Sequence, residues 1–511
     1  MLEQLENRRL LAAIKATPQE LELAVEMGLT TQQINQLLNP VAMTVGRIKA
    51  QSDFFNPLSK IPAGKRVNPV HEINPKSGVA FNVDWIDLKD TLSDAPLEFS
   101  GQKFVLSLPR PDGTYESFNV YKSQVLAPEL AAQMPSIQTF IGQSITTPGA
   151  TLAMDYTVHG LHASVYSPSG SWYIDPYYKL ETDVHVSYFR QDLQKTINHL
   201  WTEQLMGDHQ EEHQEEESVQ VLTGTGTQLR TYDLAMATTA EYTNQTGGTQ
   251  QTALGAVTTN VVRLNQIYER DFAVRFQLVA NELNILFTNA TDPYGSPSNA
   301  GTTASQNQGV VDGAIGSANY DIGHVLHRVT NIGLSNGVAQ LGSVGVAGQK
   351  AIGYTCHSLT TGDFITIDFL AHEMGHQFAG RHSYNSVGQS QGDSSSLAVE
   401  TGAGITIMGY AGLGDSNENV TSHSDAMFHA INMSTLAGTA AQTLSFILGT
   451  SSSGNTSATK TNTGNTPPVA NAGSNYTIPS RTPFILTASA TDANDPLGQL
   501  TYSWEQMNGG A

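Results

Sequence analysis

Three histidines in one short segment constrain this chain more than anything else in it. Residues 371–382 read AHEMGHQFAGRH, with His372 and His376 four positions apart and His382 six further on. Ile367, Leu370, Ala371, Met374 and Phe378 recur at helical spacing and predict a buried face, which puts His372 and His376 one turn apart on another face. Two imidazoles so placed can share a metal ion. A catalytic zinc takes three protein ligands at about 2.0–2.1 Å and keeps a fourth position for water, and His382 is the candidate third ligand. A helix continued through His382 would carry it about 9 Å along the axis, out of reach, so the helix must stop first. Gly380 is the residue expected to stop it, because glycine enters positive φ without a Cβ penalty. Glu373 then stands beside the metal, where a carboxylate can take a proton from a water acidified by the ion and later deliver it to a leaving amine.

The rest of the sequence narrows the partners. The chain has 511 residues, on a scale of about 150 per domain some three domains. With 25 basic and 46 acidic residues its net charge is -21, a field that repels phosphate backbones and anionic lipid. No apolar run approaches the roughly 18 residues a membrane span needs, and the first 16 residues lack an ordinary secretory apolar core. The lone cysteine, Cys356, excludes an intramolecular disulfide framework and a Cys-rich metal site. With no adjacent partner it is expected to be a small buried residue.

Composition and periodicity divide the chain. Residues 1–50 read as a helical leader segment. Residues 51–207 read as a β-rich domain, with a hairpin of Phe104–Leu108 and Tyr115–Val120 about Pro109–Gly113, and a second of Leu161–Val165 and Trp172–Ile174. Residues 208–217, DHQEEHQEEE, form an acidic linker in which His209 and His213 belong to a solvated charge run. Residues 218–450 mix strands at Gln228–Met236 and Val274–Ala280 with helices at Gly255–Arg270 and near Val310–Ile315, an α/β or α+β pattern. Residues 451–466 have linker composition. Residues 467–511 have about half the length of a β-sandwich, so the chain is expected to be truncated there.

HEMGHQFAGRH resembles the HExxHxxGxxH signature of metzincin zinc peptidases, and Gly404–Gly412, GITIMGYAG, resembles their Met-turn. The wording ETGAGITIMGYAG and SHSDAMFHAIN is most similar to the bacterial reprolysin-like, adamalysin-related branch. The resemblance implies an α+β fold, a twisted mixed sheet with a zinc-binding helix and a Met-turn. It implies His372, His376 and His382 as zinc ligands, Glu373 as general base and Met408 as the floor under the metal. Two positions depart from it. Ala379 stands where the signature has glycine, so either Ala379 takes positive φ at a strain of about 1–2 kcal/mol or the turn shifts by one residue. Ser383 stands where adamalysin relatives often carry Asp.

By the same resemblance Tyr410 matches the tyrosine that other metzincin branches place near zinc, as an oxyanion donor or otherwise a packing residue. His423 and His429, in an expected next helix, have no ligand precedent and are read as structural. Gly337–Val346 resembles the edge strand that pairs with substrate, its glycines leaving room for a ligand backbone, and Ala351–Cys356 is the strand after it. The phrases LAPELAAQMPSIQTFIGQSI and YIDPYY resemble propeptide regions of such peptidases, which implies a zymogen; without a prodomain cysteine, latency would rest on Asp, Glu, His or plain blockage. LEQLENRRLLA resembles a motif of exported bacterial proteins, and PPVANAG…TYSWEQ is similar to a PKD domain, an Ig-like sandwich. Asp492, Asn494 and Asp495 form a turn that is either a calcium site or a solvated loop. Together these imply a secreted bacterial zinc endopeptidase acting on protein or peptide substrates. The rival is an inactive zinc-bearing adhesion or carbohydrate-binding scaffold, against which the intact Glu373 argues.

Overall fold

The computed structural model describes residues 44–45, 54–66, 70–193, 200–206, 225–294, 299–329, 334–386, 397–414, 417–433, 442–495 and 500–507. The expected leader, save for residues 44–45, and the acidic run at 208–217 lie outside them.

The first sheet contains β1 (Thr44–Val45), β2 (Phe55–Leu58), β3 (Ser77–Val83), β4 (Val105–Pro109) and β5 (Tyr115–Lys122). It continues with β6 (Gln138–Ser144), β7 (Thr151–Thr157), β8 (Gly160–Tyr166), β9 (Trp172–Pro176) and β10 (Val184–Phe189). From β10 back to β4 the strands pair in sequence as an antiparallel meander, and β10 also pairs with β3; both expected hairpins are present. Period-2 alternation gives the sheet two different faces. Leu152, Met154, Leu161, Val165, Trp172 and Ile174 turn to a core shared with Leu88 and Leu92 of helix α1 (Trp85–Ser93), whose first turn is capped by the Asp84 side chain. Their neighbours Asp155, Ser164 and Asp175 face the other way and meet the second half of the molecule.

That half is a mixed sheet with helices packed on it. β11 (Leu200–Met206), β12 (Gln228–Thr238), β13 (Val274–Leu278), β14 (Ile322–Arg328), β15 (Leu334–Gln340) and β16 (Gly353–His357) lie in the order β11-β15-β16-β14-β12-β13. β15 runs antiparallel to β16, while the β12–β13, β12–β14 and β14–β16 pairs are parallel. The expected edge strand is thus displaced, ending at Gln340, because Gly342 and Gly345 take φ of 62° and 72° and turn the chain. Helix α2 (Gln250–Phe272) begins before its apolar pattern, at a capping box of Thr249 and Thr252. Helix α3 (Ala300–Ile315) extends well upstream of the expected Val310, capped by Asn299 on the Thr302 amide.

One long edge of this sheet is paired along its length from the N-terminal side, and the other is touched at one residue. β11 pairs in parallel along the whole of β15, with Glu203 opposite Gly337. At the far edge the β13 residue Leu278 donates to the Val125 carbonyl at 2.7 Å and accepts from the Ala127 amide at 2.9 Å.

The stretch expected as a structureless linker contributes a helical turn at Ser453–Thr456 and a strand, Thr459–Asn462, antiparallel to β12. Every residue of that strand is exposed, so it needs no apolar face and reads as a linker by composition. Beyond it Val469–Asn471 and Ser489–Thr491 form one exposed antiparallel pair, the only sheet among the described residues past 466. Asp492 uses Oδ1 to accept from the amides of Asn494 and Asp495. Among the described residues the one group of three or more His, Cys, Asp or Glu placed to hold a metal is His372, His376 and His382, so calcium at Asp492 is not supported. No described helix is long and apolar enough to cross a membrane.

Candidate metal centre

The chain reaches the site through a wide π-type turn, Phe364–Leu370, that continues into helix α4 (Ala371–Gln377), every residue of both being buried. Ile367, Leu370, Met374 and Phe378 face the core as their spacing predicts. The helix stops in a paired hydrogen-bond motif: the Gly380 amide donates to the Gly375 carbonyl and the Ala379 amide to the His376 carbonyl, each at 2.8 Å. The residue in the left-handed conformation is Ala379, at φ 64°, and not Gly380 as expected. Gly380 is required for a different reason, since a Cβ there would lie 2.8 Å from both the Gly375 carbonyl oxygen and Thr443 Oγ1. The reversal returns His382 to the helix, its ring centroid 5.2 Å from that of His372 and 4.7 Å from that of His376.

His372 Nδ1 lies 2.6 Å from the Ile407 carbonyl and His376 Nδ1 lies 2.7 Å from the Gly380 carbonyl. A carbonyl only accepts, so each Nδ1 carries the proton and each Nε2 presents a lone pair. Those two Nε2 atoms are 3.1 Å apart, and His382 Nε2 is 3.2 Å from that of His372. Two acceptor nitrogens facing one another repel unless a cation lies between them, and nitrogens sharing a tetrahedral zinc at about 2.0–2.1 Å stand about 3.3 Å apart. The donor set therefore fits zinc held by His372, His376 and His382.

The other expected residues converge on the same place. Glu373 is fully buried, and its carboxylate lies against the main chain of β15: a Cβ at Gly337 would sit 1.7 Å from Oε1. Glycine at 337 thus makes room for the Glu373 carboxylate. Met408 lies beneath α4, where a Cβ at Gly375 would be 2.6 Å from its sulfur. Tyr410 has its ring 5.0 Å from that of His382 and 5.7 Å from that of His372, and stacks on Tyr384 at 4.4 Å. His423 and His429 lie in a run of turns instead of the expected helix, away from the triad: His423 accepts from Arg190, and His429 Nδ1 accepts from the Ile431 amide. Cys356 is buried in β16, and burial pushes its thiol up to about 12, a range in which it is inert.

Glu400 escapes the sequence reading. Its Oε1 accepts from Ser383 Oγ and Thr406 Oγ1, both at 2.5 Å, and its Oε2 from the amides of Ile405 at 2.7 Å and Thr406 at 3.0 Å. One buried carboxylate therefore ties the residue after His382 to the turn carrying Met408, and Ser383, where relatives often have Asp, is a donor to it. The available signal was a single acidic residue inside the otherwise uncharged stretch Leu397–Met408.

A second buried charge group lies at the head of the π-type turn. Arg190, at the end of the first sheet, bonds Asp363 at 2.9 Å and Asp425 at 3.0 Å, and Tyr173 donates to Asp363 at 2.5 Å. Burial works to raise Asp363, but Arg190, His423 and the Tyr173 hydroxyl hold it below the ordinary carboxylate value. Asp368, which accepts from the Ser424 amide at 2.6 Å, is pushed by burial up to about 7.

A mixed sheet, a buried helix bearing two imidazoles, a third imidazole returned by a reversal and a methionine below them define a metallopeptidase. Residues 228–439 match the model of metallo-peptidase family M12B, reprolysin-like, and form a reprolysin-like metallopeptidase domain. Among solved structures, metalloproteinase-II from Bacteroides fragilis is similar over 58% of this chain and 86% of its own, at 9% identity and a TM-score of 0.33. No curated protein matches.

Proposed function

We propose that the chain is a zinc-dependent endopeptidase, exported from a bacterial cell and made as a zymogen. The observation that carries the reading is the convergence of three imidazoles with the Glu373 carboxylate against the main chain of β15. Zinc bound there supplies Lewis acidity, polarising a peptide carbonyl and lowering the pKa of water. Glu373, buried beside the triad, accepts the proton of the attacking water and passes it to the leaving amine. The main chain of β15 offers donors and acceptors to an extended peptide without reading its side chains. The Tyr410 hydroxyl is the proposed donor to the negative charge that develops on the carbonyl oxygen. The Ile407 carbonyl fixes the His372 ring, and Met408 packs under α4 at Gly375.

Latency is supported by β11, which takes up the β15 edge that a substrate would need. The block is one of main-chain occupancy, in keeping with the absence of a cysteine other than Cys356. Export is supported by the resemblance of the leader and propeptide phrases.

Replacing the base tests the reading. Glu373→Ala should keep one zinc per chain by metal analysis while losing about 10²–10⁴-fold in hydrolysis of a peptide substrate by the processed enzyme. Undiminished turnover, or loss of the metal together with the activity, would contradict the assignment.

A further inference from the structure

We propose that the N-terminal sheet, residues 54–193, stays docked on the metallopeptidase domain as a non-covalent partner after the chain is cut between 207 and 224. The inference rests on the zymogen reading for its biological sense but on separate contacts for its substance.

The main contact is a polar stripe on α2. Thr252, Gly255, Thr259, Arg263 and Gln266 follow one another at steps of three, four, four and three, which sets them in one line along the helix. Each position is matched by the first sheet. His159 Nε2 lies 2.7 Å from the Thr252 carbonyl, and a Cβ at Gly255 would be 3.0 Å from the His159 ring, so the hairpin between β7 and β8 rests on bare helix backbone. Thr259 donates to Asp155 at 2.9 Å, and Arg263 donates to Asp175 at 2.5 Å. Gln266 accepts from Ser164 at 2.6 Å and donates to the Thr151 carbonyl at 3.0 Å. Arg263 and Asp175 are each 2% exposed, so parting the two bodies requires rehydrating both charges.

Two further anchors are independent of the stripe. Residues Val125 and Ala127 bond the β13 edge, and Arg190 with Tyr173 grips Asp363. All three anchors join residues before 194 to residues after 225. Scission in the connector removes none of them; it converts an intramolecular contact into a bimolecular one and leaves the contact itself whole. Around these polar anchors Tyr173, Val186 and Tyr188 of the first sheet share one buried apolar cluster with Ala253, Val257 and Leu264 of α2, so parting the two pieces would also expose apolar surface to water.

The test uses the full chain carrying Glu373→Ala, to prevent self-digestion, and a specific cleavage sequence in place of residues 208–217. After complete nicking, the two fragments should elute together in gel filtration at micromolar concentration. Arg190→Met with Asp175→Asn, both on the N-terminal fragment, should weaken their association at least about 100-fold, two decades at 1.4 kcal/mol each. Because that fragment could misfold, Gly255→Leu supplies a second arm on the opposite partner: a side chain there meets the hairpin and should weaken docking comparably. Separate elution of unaltered nicked fragments, or unaltered affinity in both variants, would overturn the proposal. Repeating the nick with Glu373 intact reads the zymogen proposal by itself. Activity in fragments that still elute together would refute inhibition and leave docking standing.

Discussion

Glu400 does by side chain what backbone alone does not do here, joining the segment after His382 to the segment before Met408 through four accepted hydrogen bonds. His372 depends on that join, because its Nδ1 bonds the carbonyl of Ile407, next to the two amides Glu400 holds. Glu400→Ala leaves two amides and two hydroxyls without their acceptor, and residues that orient a ligand typically contribute 10–100-fold to metal affinity. We expect zinc to bind about 10–100-fold more weakly in that variant by chelator competition, with Glu400→Gln intermediate because an amide oxygen still accepts from the backbone. Wild-type zinc affinity in Glu400→Ala would refute the positioning role. At this scale the sequence was legible where chemistry repeats along one helix: His372, Glu373 and His376 are adjacent turns of a single element. Glu400 was not, because its partners are 17, 5 and 6 positions away and meet only when the short strands Tyr384–Asn385 and Glu400–Thr401 pair. Ala379 was legible only as an alternative, since local propensity favours Gly380 and the contacts that forbid a side chain at 380 are tertiary.

Elements whose core face shows as a clear period were readable, while exposed edge strands were not, nor was β14, which is buried along nearly its whole length and so shows no alternation. The hairpins of the first sheet and the buried helix α2 carry period-2 and helical patterns because burial selects for them. The exposed strand Thr459–Asn462 and β11 are edge additions held by main-chain bonds, which impose little on side-chain type. For β11 that indifference gives a clean test. A strand bonds each neighbour through alternate residues, so Gln204→Pro with Leu205→Pro removes whichever amide donates to β15. Each lost bond is worth about 1 kcal/mol, enough to open the edge about fivefold more often. The uncut chain should gain peptidase activity about fivefold, measured on a fluorogenic peptide; an uncut double variant as silent as the parent would remove β11 from any role in latency.

For the whole molecule, the placement of acids across the junction of the two halves sets its response to pH. Asp368 is pushed from 3.8 up to about 7 by burial, so between those values the folded chain keeps a proton that the unfolded chain has released. Stability from this group is therefore complete below pH 4, declines as pH rises, and is lost above pH 7. Asp368→Asn, which still accepts from the Ser424 amide, should stabilise the protein by on the order of 2–4 kcal/mol at pH 8 and by nothing at pH 4, read from denaturant unfolding at both. Equal effects at the two pH values would show that Asp368 titrates normally. The net charge of -21 said nothing of this, because what matters is that burial of Asp368 and the nearby Asp363 charge outweigh the pull of Arg190, which is bonded to Asp363.

The bonds that Val125 and Ala127 make to Leu278 carry a liability for any shortened polypeptide. Stripped of its first two hundred residues, the catalytic half would present the main-chain groups of Leu278 without their partners, beside the apolar residues of α2 that share a cluster with the first sheet, as a raw border. Two such borders on separate molecules are templates for one another. Self-association into insoluble material is then the natural fate of a catalytic half synthesised alone, and the N-terminal sheet serves the protein first as a selvage that keeps its weave from joining a neighbour's.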